Sequence, residues 1–201
     1  MTTRIDIINR ALIDIGNGPV QSEDVPPGDS YALQYETHVG AVVSSYPWSF
    51  QTRLTKLARL VAAPEAHWAY EYDLPSDMIG APRAVYPNAE RRRPTSDFEI
   101  RGRKLYTDHP GVWLRYTMAM NPALWPAYFT ALAVLVLKAQ FALAVREDSA
   151  LWLRLTEHAF GPAQMMGEGG KVGEARAIDS GGQPSGVIAI GENPLVSVRF
   201  S

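Results

Sequence analysis

The spacing of apolar residues changes twice along this chain, and that change limits the folds open to it. Up to about residue 46, apolar residues recur at every third or fourth position, which is typical of amphipathic helices. Between about 53 and 118 they alternate with polar residues in short runs, which is typical of half-buried strands. The helical spacing returns after Pro122. The pattern predicts an α+β, mainly helical fold with a small antiparallel β region in its middle.

Four helices are predicted, as a pair at the N-terminal end and a longer pair after the β region. Thr3 is a suitable N-cap for the first helix, and Pro47 ends the second. Trp48 and Phe50 follow Pro47, and two large aromatic side chains in this position are expected to fold back as an anchor on the helix pair. Gly161-Pro162 leaves open whether the last helix breaks there or continues. The predicted helices are 3–16, 29–46, 122–145 and 149–177.

The β region, at about 53–118, contains several short candidate strands. Residues 68–74 alternate cleanly and predict a half-buried strand, and residues 112–116 predict another. Between these two, residues 97–100 and 103–106 predict a hairpin, and Gly102 suits its tight turn because glycine accepts a positive φ. Residues 53–60 fit either a strand or a helical turn. Together these segments predict one small antiparallel sheet.

The last two dozen residues differ from the rest of the chain. Residues 181–186 have the composition of a linker, and two short, extended, apolar segments follow without an evident partner within the chain. Such a segment can add a strand or a hydrophobic plug to a neighbouring protein. The sequence therefore predicts a core over residues 1–177 and an extended C-terminal interaction arm over 178–201. Candidate interface residues of the arm are Val187, Ile188, Ile190, Leu195, Val196, Val198 and Phe200.

No arrangement of side chains predicts a catalytic site, a cofactor site or a metal site. The chain has no cysteine, which excludes disulfides and thiolate zinc sites, and its four histidines lack metal-ligand spacing. Asp73 and Asp77 flank a strand-to-turn junction, and paired carboxylates can perform acid–base chemistry in a cleft. Acids at such junctions more commonly form turns and caps. We therefore predict that the protein is not an enzyme.

The charge pattern points to protein partners more than to nucleic acid or membrane. A formal net charge of −2 gives no electrostatic case for a dedicated nucleic-acid-binding protein. Arg91, Arg92 and Arg93 form the strongest charge cluster, either as a solvated loop tip or as a contact with DNA phosphates or an acidic protein surface. The uncharged stretch 122–137 is shorter than the roughly 20 apolar residues of a membrane span, so a buried helix is expected.

Several stretches, taken in order, resemble the head–tail adaptor proteins of tailed bacteriophages, and in particular the tail tubular protein A-like family. Each is a packing or turn signature, and the resemblance covers roughly residues 4–160. The sequence departs from the family pattern at Gly161-Pro162 and at 167–170, where members tend to carry an uninterrupted helix. The stretches are Ile8-Asn9-Arg10-Ala11-Leu12, Tyr46-Pro47-Trp48-Ser49-Phe50, Tyr70-Glu71-Tyr72-Asp73-Leu74-Pro75-Ser76-Asp77, Leu105-Tyr106-Thr107-Asp108 with Leu114-Arg115-Tyr116, and Phe129-Thr130-Ala131-Leu132-Ala133.

The resemblance implies a structural protein without catalytic activity. It implies a ring of identical subunits, commonly twelve, that joins the portal protein to the next tail or neck protein and lines a channel for passing DNA. The location implied is the neck of a virion that is assembled in the bacterial host cytoplasm, whether of a phage, a prophage or a gene transfer agent. Two alternatives stay open on the residues alone, namely a small cytoplasmic enzyme that uses Asp73 and Asp77 and a helical peptide-binding module.

Overall fold

The computed structural model describes residues 2–61, 67–165 and 167–181, and the fold is α+β. Within these ranges the chain forms five α-helices and six β-strands. The helices are α1 (Arg4–Asp14), α2 (Gly28–Ser45), α3 (Ala127–Ala144), α4 (Ser149–Phe160) and α5 (Gly170–Gly181). The strands are β1 (Thr52–Lys56), β2 (Tyr70–Asp73), β3 (Met78–Tyr86), β4 (Glu99–Arg101), β5 (Lys104–Thr107) and β6 (Trp113–Met118).

The first helix begins at the predicted cap. The backbone N–H of Asp6 donates to Oγ1 of Thr3 at 3.3 Å, and the backbone N–H of Thr3 donates to Oδ2 of Asp6 at 2.8 Å. This reciprocal pair is a capping box, which satisfies two backbone donors that the helix leaves without a partner. The hydrogen bonds from Thr3, first through its backbone, lower the pKa of the Asp6 carboxyl. The local sequence alone therefore sets where α1 begins.

The helical core is built around α3, the most apolar helix. Eight of its residues are buried, and α1, α2, α4 and α5 all pack on it. α1 lies chiefly against α3 rather than against α2. By length and composition alone α3 could cross a membrane, but half of it is buried inside this fold, as in the core helix of a globular protein. The buried residues of α3 are Phe129, Leu132, Ala133, Val136, Leu137, Ala139, Phe141 and Ala142.

The predicted aromatic anchor is present, and it joins α2 to α3. The indole of Trp48 is fully buried, and its Nε1 donates to the carbonyl oxygen of Val42 on α2 at 3.1 Å. Its ring lies 4.8 Å from the ring of Phe129 on α3, centroid to centroid, and the ring of Phe50 lies 5.0 Å from the same phenylalanine. Edge-on aromatic pairs of this kind add about 0.5–1.5 kcal/mol beyond the area they bury. The anchor therefore fixes the exit of α2 on the central helix.

The helix expected over 149–177 is two helices, and the break lies at the predicted alternative, Gly161-Pro162. α4 ends at Phe160, and α5 begins at Gly170 after a short connection. A Cβ on Gly170 would lie 2.5 Å from the carbonyl oxygen of His158, and Gly170 has a φ of +56°. Only glycine allows this close approach of two backbones at a positive φ. The glycines after Phe160 therefore make a tight corner, and the expected long helix is wrong.

The β region forms two antiparallel sheets instead of the one expected. One has the strand order β1-β6-β3, and the other has the order β2-β5-β4. The ambiguous stretch 53–60 contributes β1, which pairs with β6 along its whole length. The predicted hairpin is β4–β5, where Arg101 pairs with Lys104 and Gly102 has a φ of +58°. Alternation indicated the strands correctly, but it does not specify which strands become neighbours.

A second hydrophobic core lies between the two sheets. Tyr72 and Leu105 from the second sheet meet Leu114 and Tyr116 from the first, and each is at most 2% exposed. Leu57, immediately after β1, closes this core and is 5% exposed. Consecutive residues of β2, β5 and β6 are buried, so both faces of these strands are partly covered.

Candidate interaction surface

Charged residues are unequally divided between the two sheets. The strands of the first sheet carry Arg53, Lys56, Arg83 and Arg115 and no carboxylate side chain. The second sheet carries charges of both signs, and four of its five charged residues form ion pairs with one another. Lys104 contacts the buried Glu71, and Nε of Arg101 lies 2.7 Å from Oε1 of Glu99. The charges of the second sheet largely cancel, whereas those of the first sheet add up.

Three of the four cations share the outer face of the first sheet. Lys56 pairs in register with Trp113, two residues before Arg115 on β6, so the side chains of Lys56 and Arg115 lie on one face. Arg53 pairs with the buried Tyr116 and lies on the opposite face, where its Nη1 is 3.6 Å from Oδ2 of Asp77. One cation is therefore neutralised at the inner face, and the others remain outside.

An irregularity in β3 brings the third cation beside the other two. The register of β3 against β6 shifts between Ile79 and Ala84, as at a β-bulge. Bulges redirect side chains and are frequent at binding sites. Here Nε of Arg83 donates to Oγ1 of Thr117 at 3.2 Å, and Arg83 and Arg115 line the same concavity of about 640 Å³. We call Lys56, Arg83 and Arg115 the basic face.

Aromatic rings orient two cations of the basic face, and the hydrogen bond to Thr117 orients the third, Arg83. Nζ of Lys56 lies 5.2 Å from the ring centroid of Trp113, and the guanidinium of Arg115 lies 5.5 Å from that of Tyr86. Within the described part of the chain, no carboxylate comes within 4.0 Å of a cation of this face. A ring orients a cation without cancelling its charge. The face therefore offers oriented positive charge to an anionic partner.

The predicted cluster Arg91–Arg93 lies in an exposed loop at one end of this sheet. The chain leaves β3 at Tyr86, which pairs with Trp113, and returns at Thr95, which bridges to Val85. Arg91 has a φ of +54°, and its backbone N–H donates to Oδ1 of Asn88 at 3.1 Å. The loop is thus internally bonded and presents its arginines outward. Whether the cluster is an interface stays a prediction, while sequence reasoning missed Lys56, Arg83 and Arg115.

The last described helix ends in a buried anchor. α5 continues to Gly181, so the predicted start of the arm at 178 falls within a helix. Asp179 is 3% exposed and accepts hydrogen bonds from Ser49, through N at 2.9 Å and Oγ at 2.7 Å, and from Oη of Tyr128 at 2.6 Å. Burial, followed by the bond to Asp179, raises the pKa of Tyr128. The predicted arm residues Val187, Ile188, Ile190, Leu195, Val196, Val198 and Phe200 lie outside the described residues.

The two acids that suggested catalysis lie in different surroundings. Oδ1 of Asp77 accepts a hydrogen bond from Oη of Tyr116 at 3.0 Å, and Arg53 approaches the other oxygen. Asp73 is exposed and lies opposite Lys104 in the β2–β5 ladder. Burial, and then the bond to Asp77, raises the pKa of Tyr116. In the described ranges no three His, Cys, Asp or Glu side chains come together in a way that could hold a metal ion.

No protein-family model matches the sequence, and no curated protein matches it.

Proposed function

We propose that the protein is a structural head–tail adaptor of a tailed bacteriophage, a prophage or a gene transfer agent. Identical subunits, twelve in the proposed assembly, form a ring in the neck of the virion. The ring joins the portal protein to the next tail or neck protein and surrounds the DNA that passes through. The core is proposed to be mainly helical, with two helices before the β region and three after it.

The anchor at Asp179 is the observation that carries this proposal. An arm that reaches a neighbouring protein needs a fixed point of departure, because each flexible residue between anchor and contact adds to the entropy lost on binding. Asp179 lies two residues before the end of α5. Its hydrogen bonds tie α5 to Ser49 and to Tyr128 on α3. The chain is therefore tied to the core close to Gly181, and such a fixed point suits an arm that adds a strand or plug to the next protein.

The order of elements also supports an adaptor. Two helices, a β region and further helices follow one another as the resemblance implies. The stretch Tyr46-Pro47-Trp48-Ser49-Phe50 packs Trp48 and Phe50 on Phe129 of α3, so two of the stretches that carry the resemblance meet in the helical core.

The direct test is assembly with the portal protein from the same genome. The two proteins are co-expressed, and the complex is examined by size-exclusion chromatography, native mass spectrometry and electron microscopy. We expect a ring of this protein on the portal. Failure to co-migrate, together with phage particles whose neck contains no density for the protein, would contradict the proposal.

Two variants locate the contact surfaces. A chain that ends at Gly181 retains Asp179, so we expect it to fold but to assemble weakly. Replacement of Arg91, Arg92 and Arg93 by alanine is expected to weaken portal docking at low salt if the cluster is an interface, since exposed charge pairs are screened by salt. Docking that is unchanged in both variants would place the contacts elsewhere. Circular dichroism of each variant checks that the fold is intact.

A further inference from the structure

We propose that the basic face, made of Lys56, Arg83 and Arg115, binds the phosphate backbone of duplex DNA without sequence specificity. This inference rests on the proposed adaptor role only in the choice of DNA as the polyanion. The charge and geometry of the first sheet, which no motif in the sequence marks, indicate the site itself.

The concavity beside the face has the chemistry of an anion site. Two guanidinium groups, of Arg83 and Arg115, line it together, and none of its lining residues is acidic. Ser49 also lines it, but its hydroxyl is already donated to the buried Asp179. The guanidiniums are therefore the groups available to a ligand, and their planar donor array matches the oxygens of a phosphate.

The layout of the cations favours a ligand with repeated charges over a single small anion. Lys56 and Arg115 are diagonal neighbours on adjacent strands, which places the two residues about 7–8 Å apart. Arg83 is brought to the far side of Arg115 by the irregular β3. Because the cations extend over three adjacent strands, successive phosphates of a nucleic-acid strand can contact them together. Trp113, the partner of Lys56 in the strand register, lies beneath the ammonium group of that lysine.

Several features distinguish a nucleic acid from an acidic protein partner. The face carries charge of one sign only, over three strands without a carboxylate, and a phosphate backbone is a partner with that uniform charge. The concavity offers guanidiniums aimed at phosphate and no side-chain amide that would read a base edge. Because the formal net charge of the whole chain is −2, the contact should be weak and strongly dependent on salt.

The test is the fluorescence anisotropy of a labelled, random-sequence DNA duplex titrated with the full-length protein at several salt concentrations. Three phosphate contacts predict a slope of about −2.7 for the logarithm of the binding constant against the logarithm of salt concentration. Binding should therefore weaken about 40-fold over a fourfold rise in salt. The double variant R83Q/R115Q should flatten the slope to about −0.9. Arg115→Lys keeps the charge and should keep the slope.

Arg154→Gln is the matched control, because Arg154 is an exposed arginine on α4, away from both sheets. It should bind DNA like the unchanged protein. A slope that R83Q/R115Q leaves unchanged, or that R154Q alters equally, would overturn the proposal. So would poly-glutamate that displaces the duplex as effectively as unlabelled DNA at equal charge, since that result would identify an acidic protein partner. If R83Q/R115Q does not fold, Lys56→Gln alone should still flatten the slope by about 0.9.

The two proposals fail in different ways. Loss of DNA binding in R83Q/R115Q with intact portal docking would support the DNA site and leave the adaptor role standing. A protein that binds DNA as described but never joins a portal would contradict the adaptor role alone.

Discussion

The hydroxyl of Tyr128 donates a hydrogen bond of 2.6 Å to Oδ1 of Asp179, which lies 51 residues later in the chain. The same carboxylate accepts two hydrogen bonds from Ser49, 130 residues before it. Three segments that are distant in sequence are therefore joined at one buried group. Three neutral donors, the N–H and hydroxyl of Ser49 and the hydroxyl of Tyr128, thus share one buried acceptor.

Asp179→Ala should destabilise the protein by at least about 3 kcal/mol, because it leaves the N–H and hydroxyl of Ser49 and the hydroxyl of Tyr128 without their acceptor. Tyr128→Phe removes a single hydrogen bond to a charged group and should cost about 1.5–3 kcal/mol. Urea unfolding followed by circular dichroism measures both changes. Ser180→Ala, at the exposed neighbouring position, is the control and should change stability by less than about 0.5 kcal/mol. Equal losses of unfolding free energy in Asp179→Ala and Ser180→Ala would contradict the role of Asp179 as an anchor.

Stability should fall at alkaline pH, because the pKa values of Tyr35, Tyr72, Tyr116 and Tyr128 are raised, in each case chiefly by burial. A phenol with a raised pKa favours the fold while it is neutral. Its contribution is complete below the unfolded value of about 10 and is lost as the pH rises through the folded value. Tyrosinate absorbance during a pH titration should show these four tyrosines ionising late in the native state but not in concentrated urea. Tyr128→Phe should remove one of the four; an unchanged late fraction would contradict the prediction.

Local signals predicted the features that depend on neighbours in sequence. The cap at Thr3, the hairpin turn at Gly102 and the anchor at Trp48 each follow from residue types within a few positions. Two alternatives stayed open because the local pattern fits both outcomes. Residues 53–60 could form a strand or a helical turn, and the last helix could break at Gly161-Pro162 or continue. Packing decided these cases, since β1 lies along β6 and the glycine corner brings α5 onto α3 and α4.

The candidate site depends on pairings that local patterns do not contain. Lys56, Arg83 and Arg115 are spread over about 60 residues, and nothing at any one of them predicts that they share a face. The strand order β1-β6-β3 brings them together, and the irregular stretch of β3 redirects Arg83. Asp179 was equally hidden, because an acid near the end of a helix is ordinarily a solvated residue. Once the strand order is known, the absence of carboxylates from these three strands can be read from the sequence.

Gly170→Ala should destabilise the protein by about 2 kcal/mol or more, because it combines a positive φ with a Cβ placed against backbone. That Cβ would lie 2.5 Å from the carbonyl oxygen of His158 and 2.6 Å from the nitrogen of Gly161. Gly40→Ala is the matched control, since Gly40 lies inside α2 and a Cβ there would have no neighbouring atom within 4 Å. That change should stabilise the helix by about 0.5–1 kcal/mol. The midpoints of thermal and urea unfolding should therefore fall in Gly170→Ala and rise in Gly40→Ala. Midpoints that move in the same direction in both variants would contradict the tight corner.

The capping box at the start of α1 should give a stability that depends on acid pH. Thr3→Ala removes the side-chain half of the box and should cost about 1 kcal/mol, whereas Thr2→Ala leaves the box intact.

The pKa of Asp6 is lowered in the fold by hydrogen bonds from Thr3, the backbone N–H first. A carboxyl with a lowered pKa contributes stability above its unfolded value of about 3.9 and loses it as the pH falls through the folded value. The difference in unfolding free energy between the unchanged protein and Asp6→Asn should therefore be constant near neutral pH and shrink below about pH 4. A difference that grows on acidification would show that the charge of Asp6 opposes the fold, and the capping argument would then be wrong.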